Sequence, residues 1–216
     1  MKKVIIFIIL FFLLFGLLNA QSVRSKGFKF GLNFAYRAFP HVDMEVLTDS
    51  AKKTGINAGV FIEFFDNNII NLILEVQYKM MRPYEYYIEE YYGDLVPANS
   101  KRWELRRLEY VSFPLLIKIG YKIGKIRPYG VVGPRADVLL CAEYYDENGF
   151  RDSLWDEFKW YSIGMDFGFG AEIDFIRWMT FSPEFRFSSD FTYSKGNYHI
   201  EGKNRAYEFI IGMGFM

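Results

Sequence analysis

His41 and His199 are the two histidines of this chain, and Asp43, Ser194 and Glu201 stand near them in the sequence. A histidine beside a serine and a carboxylate is the make-up of a hydrolytic site, and two imidazoles are half of a zinc ligand set. Neither grouping sits in a recognisable motif. Both histidines fall in stretches that read as loops, whereas catalytic groups need rigid placement. No catalytic residue, cofactor site or metal site is assigned from them, and the chain reads as a non-enzyme. Asp146-Glu147-Asn148-Gly149 gathers oxygen ligands but lacks the spacing of a calcium loop. With Glu143, Asp152, Asp156 and Glu157 nearby, it reads as a solvated acidic run. Cys141 is the single cysteine, so an intrachain disulfide is impossible; it reads as a small apolar residue at a strand end.

A second set of ionisable residues is more regular. In Tyr161–Asp174 every odd position is apolar and every even position is small or charged, except that Ala171 is both small and apolar. A period of two means a strand with two unlike faces. A solvent-facing surface has no use for Gly164, Gly168 and Gly170, but a crowded interior does. The bulky apolar face must then point at lipid. The same parity elsewhere places Lys29, Arg37, Glu63, Glu75, Lys79, Glu109, Lys118, Arg135, Asp137, Asp166, Glu172, Asp174, Glu184, Arg186 and Glu208 in one narrow lumen. Unpaired buried charges are costly, so these predict a structural network of mixed ion pairs.

The elements that must hold such a lumen are long alternating stretches. They read as Phe28–Ala38, Gly55–Phe65, Ile69–Met80, Leu105–Tyr121, Ile126–Leu140, Tyr161–Asp174, Met179–Ser188 and a last stretch through Tyr207–Phe215. Two of them change phase. Leu108 and Tyr110 share the outward face before Val111-Ser112-Phe113-Pro114, and Leu115, Ile117 and Ile119 share it after, which predicts a bulge near Pro114. Gly133-Pro134 suggests a second bulge, between Tyr129 and Val131 on one parity and Ala136, Val138 and Leu140 on the other.

The links between stretches alternate long and short. That asymmetry fits an all-β, antiparallel, up-and-down transmembrane barrel of about eight strands, with long loops outside and both termini periplasmic. Eight strands leave an interior just wide enough for their own side chains, so the lumen is expected to be plugged. A narrow solute or ion path is the alternative. A soluble ligand-binding barrel would carry its apolar face inside and its charges outside, opposite to this pattern.

Composition agrees. The chain has 216 residues, 51% hydrophobic and 20% aromatic, which suits aromatic belts at two membrane interfaces. Formal charge is zero, and there is no basic excess to hold nucleic acid. Lys2 and Lys3 precede an apolar run from Val4 to Leu18, then Asn19-Ala20-Gln21. The run is short for a bilayer span. Residues 1–20 therefore read as a secretory signal peptide cut after Ala20, with a retained anchor as the alternative, and residues 21–216 as one barrel domain.

The link Met81–Glu104 carries Tyr84, Tyr86, Tyr87, Tyr91 and Tyr92, with Trp103 near its end. Rigid aromatics with a polar tip make good contact surfaces. The alternative is that some belong to the outer aromatic girdle.

Leu108-Glu109-Tyr110-Val111-Ser112-Phe113-Pro114-Leu115-Leu116-Ile117-Lys118, followed by Arg127-Pro128-Tyr129-Gly130-Val131-Val132-Gly133-Pro134, resembles the central strand pair of the "porin family" or PorT-like small outer-membrane β-barrels. Gly27–Asn33 and Phe209–Phe215 resemble that family's first and last strands; here Phe215 is penultimate, where the family usually ends on an aromatic. The resemblance spans the chain beyond residue 20. It implies a monomeric barrel in the outer membrane of a Gram-negative bacterium, without cofactor. Its expected partners are outer-membrane lipid and other envelope proteins or an extracellular ligand. It points to a surface, envelope-assembly or secretion role; a narrow channel is the alternative, and an outer-membrane lipid- or peptide-hydrolysing enzyme comes after that.

Overall fold

A computed structural model describes residues 23–38, 54–65, 67, 69–82, 84–87, 102–145, 151–153, 159–192 and 203–216; for 36–38, 84–87, 102–106, 144–145 and 151–153 it describes the backbone. The strands are β1 (Val23–Ala38), β2 (Thr54–Phe64), β3 (Ile70–Met81), β4 (Tyr84–Tyr87), β5 (Arg102–Gly120), β6 (Ile126–Tyr145), β7 (Arg151–Ser153), β8 (Tyr161–Ile176), β9 (Met179–Asp190) and β10 (Lys203–Phe215). All pairings are antiparallel. β1 pairs with both β2 and β10, and β5 pairs with β6, so eight strands close into a barrel. The short strands β4 and β7 flank the upper parts of β5 and β6.

Register fixes the barrel's shape. The pairing runs from Lys26 through Ile62, Leu74, Leu115, Pro134, Met165, Ser189 and Arg205, and returns to β1 at Tyr36, ten residues along. Eight strands with that stagger tilt by about 40° and give a backbone radius of about 8 Å. At that tilt the 11 residues of β2 rise about 28 Å, enough for an apolar band of about 25 Å.

The tight turns lie at one end, with both ends of the described chain. In the β2–β3 turn Phe65 takes φ 66°, an uncommon left-handed conformation for a bulky residue. Asn71 holds it there by donating to the Phe65 carbonyl, and Asn67 accepts from the Ile69 amide at 2.9 Å. The β5–β6 turn has Gly124 at φ 63° between Ile123 and Ile126, whose amides and carbonyls exchange hydrogen bonds of 2.7 and 3.1 Å. Glycine at the first central position fits a two-residue hairpin turn.

The two faces are inverted relative to a soluble domain. Outward positions include Val60 at 47% exposure, Phe169 at 66% and Phe209 at 48%. Trp178 stacks on Phe215 at 6.0 Å, and Phe28 meets the same ring edge-on at 6.4 Å, at the tight-turn end. Trp160 and Tyr161 pair at 4.8 Å at the other end. Phe215 is thus built into one aromatic belt although it is penultimate.

Several sequence expectations are corrected. There is no phase change near Pro114: Leu108, Tyr110, Ser112, Pro114, Leu116 and Lys118 all face inward. Nor is there a bulge at Gly133-Pro134, because Arg127, Tyr129, Val131, Arg135, Asp137 and Leu139 keep one inward phase. The irregularity between these strands lies higher, where Glu109 pairs with Cys141 and Tyr110 with Leu139, leaving Leu140 as the extra residue. The error came from treating Leu108, Tyr110, Tyr129 and Val131 as lipid-facing because they are large and apolar; they belong to interior clusters. Cys141 lies within β6 instead of at its end, and the links Met81–Glu104 and Cys141–Lys159 contain ordered strand, namely β4, β7 and the extensions of β5 and β6.

Candidate functional site: the charged lumen

Inward side chains are stacked in layers. At the tight-turn end, the bulge between Val23 and Ser25 turns Arg24 into the lumen. Arg24 pairs with Glu63 and, at 2.8 Å, with Glu172. Lys118 joins the same two carboxylates, 3.1 Å from Glu63. Arg127 donates to Asn71 at 2.6 Å and lies 3.9 Å from Glu63. Phe61, Ile73, Leu116, Tyr129 and Val131 form an apolar patch next to this layer, and the Lys118 ammonium sits 4.6 Å from the Tyr129 ring centre.

The middle layer joins Lys29, Glu75, Glu184 and Arg186. Lys29 lies 2.7 Å from Glu75 and 2.9 Å from Glu184. Arg186 donates to Glu184 through Nε at 2.7 Å and to Glu75 through both terminal nitrogens, at 2.9 and 3.1 Å. The Tyr129 hydroxyl donates to Glu184 at 3.1 Å. A Cβ on Gly170 would fall 2.8 Å from the Tyr129 ring, so this glycine is what lets the phenol end of Tyr129 approach β8.

The upper layer is centred on Arg135, whose three nitrogens meet three carboxylates: Asp137 and Asp166 at 2.7 Å each, and Asp190. Asp166 also lies 3.4 Å from Arg186, linking the middle and upper layers. Lys79 pairs with Glu208 at 2.8 Å, and the Ser188 hydroxyl bridges Asp166 and Glu208 at 2.8 and 2.7 Å. Asn57 donates to Glu208 at 2.8 Å and Asn33 donates to Asn57. Above it, Ala35, Met81, Leu108, Tyr110, Leu139, Ala142 and Ala206 form a second apolar cluster. A cavity with about 10 Å³ open to a water-sized sphere lies between the lower and middle layers, beside Lys29, Glu63, Lys118, Tyr129 and Glu172. That is room for about one water molecule.

The expected lumen residues mostly converge here: Lys29, Glu63, Glu75, Lys79, Lys118, Arg135, Asp137, Asp166, Glu172, Glu184, Arg186 and Glu208 all take part. Two do not. Glu109 stands on the outer wall, paired with Arg107 and hydrogen-bonded to Tyr78, because the strand phase is unbroken through Pro114. Asp174 is half-exposed at the tight-turn rim, 2.7 Å from Lys122. Arg37 lies on β1 opposite Asn204, and its side chain is outside the described residues.

Sequence reasoning missed Arg24, Arg127 and Asp190. Arg24 precedes the alternation and turns inward through a bulge. Arg127 shares the parity of Tyr129, so its place followed from the same phase error. Asp190 continues the even-numbered inward row of β9 two residues past Ser188, which extending the period would have found.

Tyr84, Tyr86 and Tyr87 lie on β4 and Trp103 on β5, with Tyr86 opposite Trp103. Tyr91, Tyr92, His41, Asp43, Ser194, His199, Glu201 and the Asp146–Gly149 run lie outside the described residues. Among the described residues no group of three or more His, Cys, Asp or Glu could hold a metal ion.

The family described as "Outer membrane protein beta-barrel domain" matches residues 19–195. No curated protein sequence matches the chain. Among solved structures, Neisserial surface protein A (NspA) is 13% identical, covering 88% of this chain and 97% of its own, with a TM-score of 0.49. The outer membrane protein OprG from Pseudomonas aeruginosa is 10% identical, with coverage of 90% and 96% and a TM-score of 0.47. Ail, the attachment invasion locus protein of Yersinia pestis, is 12% identical, with coverage of 88% and 97% and a TM-score of 0.41. The family match bears out the outer-membrane barrel resemblance and does not single out a PorT-like branch.

Proposed function

The chain belongs to the outer membrane protein β-barrel family and resides in the outer membrane of a Gram-negative bacterium, and from that premise we propose that it is a closed scaffold whose extracellular connections bind a partner. The observation that supports closure is the linked middle and upper layers. Arg135 and Arg186, at 2% and 0% exposure, are each surrounded by carboxylates of their own and of other strands. A charge that crosses the lumen must break several such contacts, each in a place where an unpaired charge is costly. The exported chain starts after a signal peptide, residues 1–20, which the insertion route requires.

The binding end is the one bearing β4, β7 and the upper parts of β5 and β6. Its tyrosine-rich stretch, from Tyr84 to Trp103, supplies rigid amphipathic contact area. The partner is another envelope protein or an extracellular ligand, and no cofactor is needed. Planar-bilayer recording of the purified chain tests closure: no steady conductance is expected, and a large stable one overturns it. Pull-down from detergent-solubilised envelopes, with residues 84–103 replaced by a Gly/Ser linker as control, tests display. Loss of a specific co-purifying protein in the variant is expected; identical recovery from both overturns it.

A further inference from the structure

On the inner wall, Gln77 of β3 stands directly opposite Ser112 of β5, and Ser112 directly opposite Asp137 of β6. All three are buried. The Ser112 hydroxyl donates to one oxygen of Asp137, and Arg135 Nε donates to the other at 2.7 Å. The Gln77 amide nitrogen donates to Glu75 in the middle layer. That bond fixes which way round the amide lies, because its oxygen in the same place would face a carboxylate. Gln77 Oε1, on the other arm of the amide, is turned from Glu75 and is buried with no donor. Asn33 Oδ1, on the residue opposite Glu208, is a second buried carbonyl oxygen without one.

The same region is short of positive charge. Among the described residues, the middle and upper layers hold six carboxylates against four cations. The surplus lies in the upper layer, where Arg135 is shared by Asp137, Asp166 and Asp190. The lower layer leans the other way, with Arg24, Lys118 and Arg127 around Glu63 and Glu172. Uncompensated buried charge is costly, and so is a buried acceptor without a donor. A small cation answers both needs at once.

We propose that Gln77 Oε1, Ser112 Oγ and the Asp137 carboxylate form a binding site for a monovalent cation of the size of sodium. Directly opposite residues stand about 5 Å apart, so oxygens on three adjacent strands are within reach of one ion. A carbonyl, a hydroxyl and one carboxylate are all hard oxygen ligands. Ser112 keeps its hydrogen bond to Asp137 and offers the ion a lone pair. A calcium ion takes about six to eight oxygens, and the Arg135 guanidinium beside Asp137 opposes a second positive charge. The site is thus of another kind than a set of three His, Cys, Asp or Glu, which is absent among the described residues. It does not rest on partner binding or on closure of the lumen.

The test is reversible urea unfolding of the full exported chain in lipid vesicles, in sodium chloride and in choline chloride at equal ionic strength, so that screening is matched. Choline is too large for the site. Sodium is expected to raise the wild-type folding equilibrium constant about tenfold over choline. Gln77→Leu and Ser112→Ala each remove one ligand oxygen and lose that difference, whereas Lys26→Gln, at an exposed position on the outer wall, keeps it. If neither lumen variant folds, sodium NMR of the wild type decides: the folded chain is expected to broaden the sodium line more than the urea-unfolded chain, and equal broadening overturns the site. Equal stability in the two salts, or a sodium effect that survives both substitutions, overturns it too. A wild type stabilised by acid and indifferent to sodium assigns the missing charge to a proton and overturns the cation site as well.

Discussion

Lys79 on β3 and Glu208 on β10 meet at 2.8 Å with both side chains fully buried, although β2 and β1 stand between their strands. The pair is a chord across the lumen. Lys29 to Glu184 and Arg186 to Glu75 are chords of the same kind, tying β1 to β9 and β9 to β3. The hydrogen-bond ladder joins each strand to its neighbours; these contacts join strands that are not neighbours.

Breaking one chord is expected to destabilise more than removing it whole. Lys79→Met leaves Glu208 buried with only its neutral donors, Asn57 and Ser188, and is expected to cost about 3–5 kcal/mol. Lys79→Met with Glu208→Met replaces the pair by apolar bulk and is expected to recover most of that loss. Reversible urea unfolding in lipid vesicles measures both; a double variant no more stable than the single one contradicts the argument.

The lumen is also sensitive to size. A Cβ at Gly170 would fall 2.5 Å from the Pro183 carbonyl and 2.8 Å from the Tyr129 ring. Gly170→Ala is expected to lower stability by about 1–3 kcal/mol and to push the Tyr129 hydroxyl off Glu184. Adding Tyr129→Phe removes that hydroxyl but not the ring. The double variant should thus stay as unstable as Gly170→Ala, read by the same unfolding curves.

The outer wall has a depth profile. Val60 lies near the middle of β2 and Thr54 at its long-connection end. Val60→Arg is expected to cost about 2–4 kcal/mol and Thr54→Arg about 0–1 kcal/mol. Equal costs in vesicle unfolding would mean that this face does not cross the hydrocarbon.

Conductance should follow the charge inventory of the upper layer. Arg135→Ala leaves Asp137, Asp166 and Asp190 without their shared partner. Any current that opens in planar bilayers with this variant is expected to favour cations over anions. Anion-selective current would show that the path avoids the carboxylate cluster.

The alternation of residues 161–174 was enough to say which face of β8 is lipid and which is lumen, because a side-chain period of two admits no other strand arrangement. It also located most of the charged network. The alternating link lengths gave the eight staves and their closure into an even-stranded barrel, and the two tight turns that hold Asn67 and Gly124 carry residue types suited to turns.

The contents of the lumen were less legible. Leu108, Tyr110, Tyr129 and Val131 read as lipid-facing by type, yet face inward, and Glu109 reads as lumenal by type, yet stands outside beside Arg107. An aromatic or aliphatic side chain gains from either environment, since both exclude water. Residue type therefore leaves its face undecided, and only the pairing register settles it. The bulge at Leu140 and the inward turn of Arg24 were invisible for a related reason. Each depends on which residue of the neighbouring strand is opposite, a relation between distant parts of the chain that exists only after the barrel has closed.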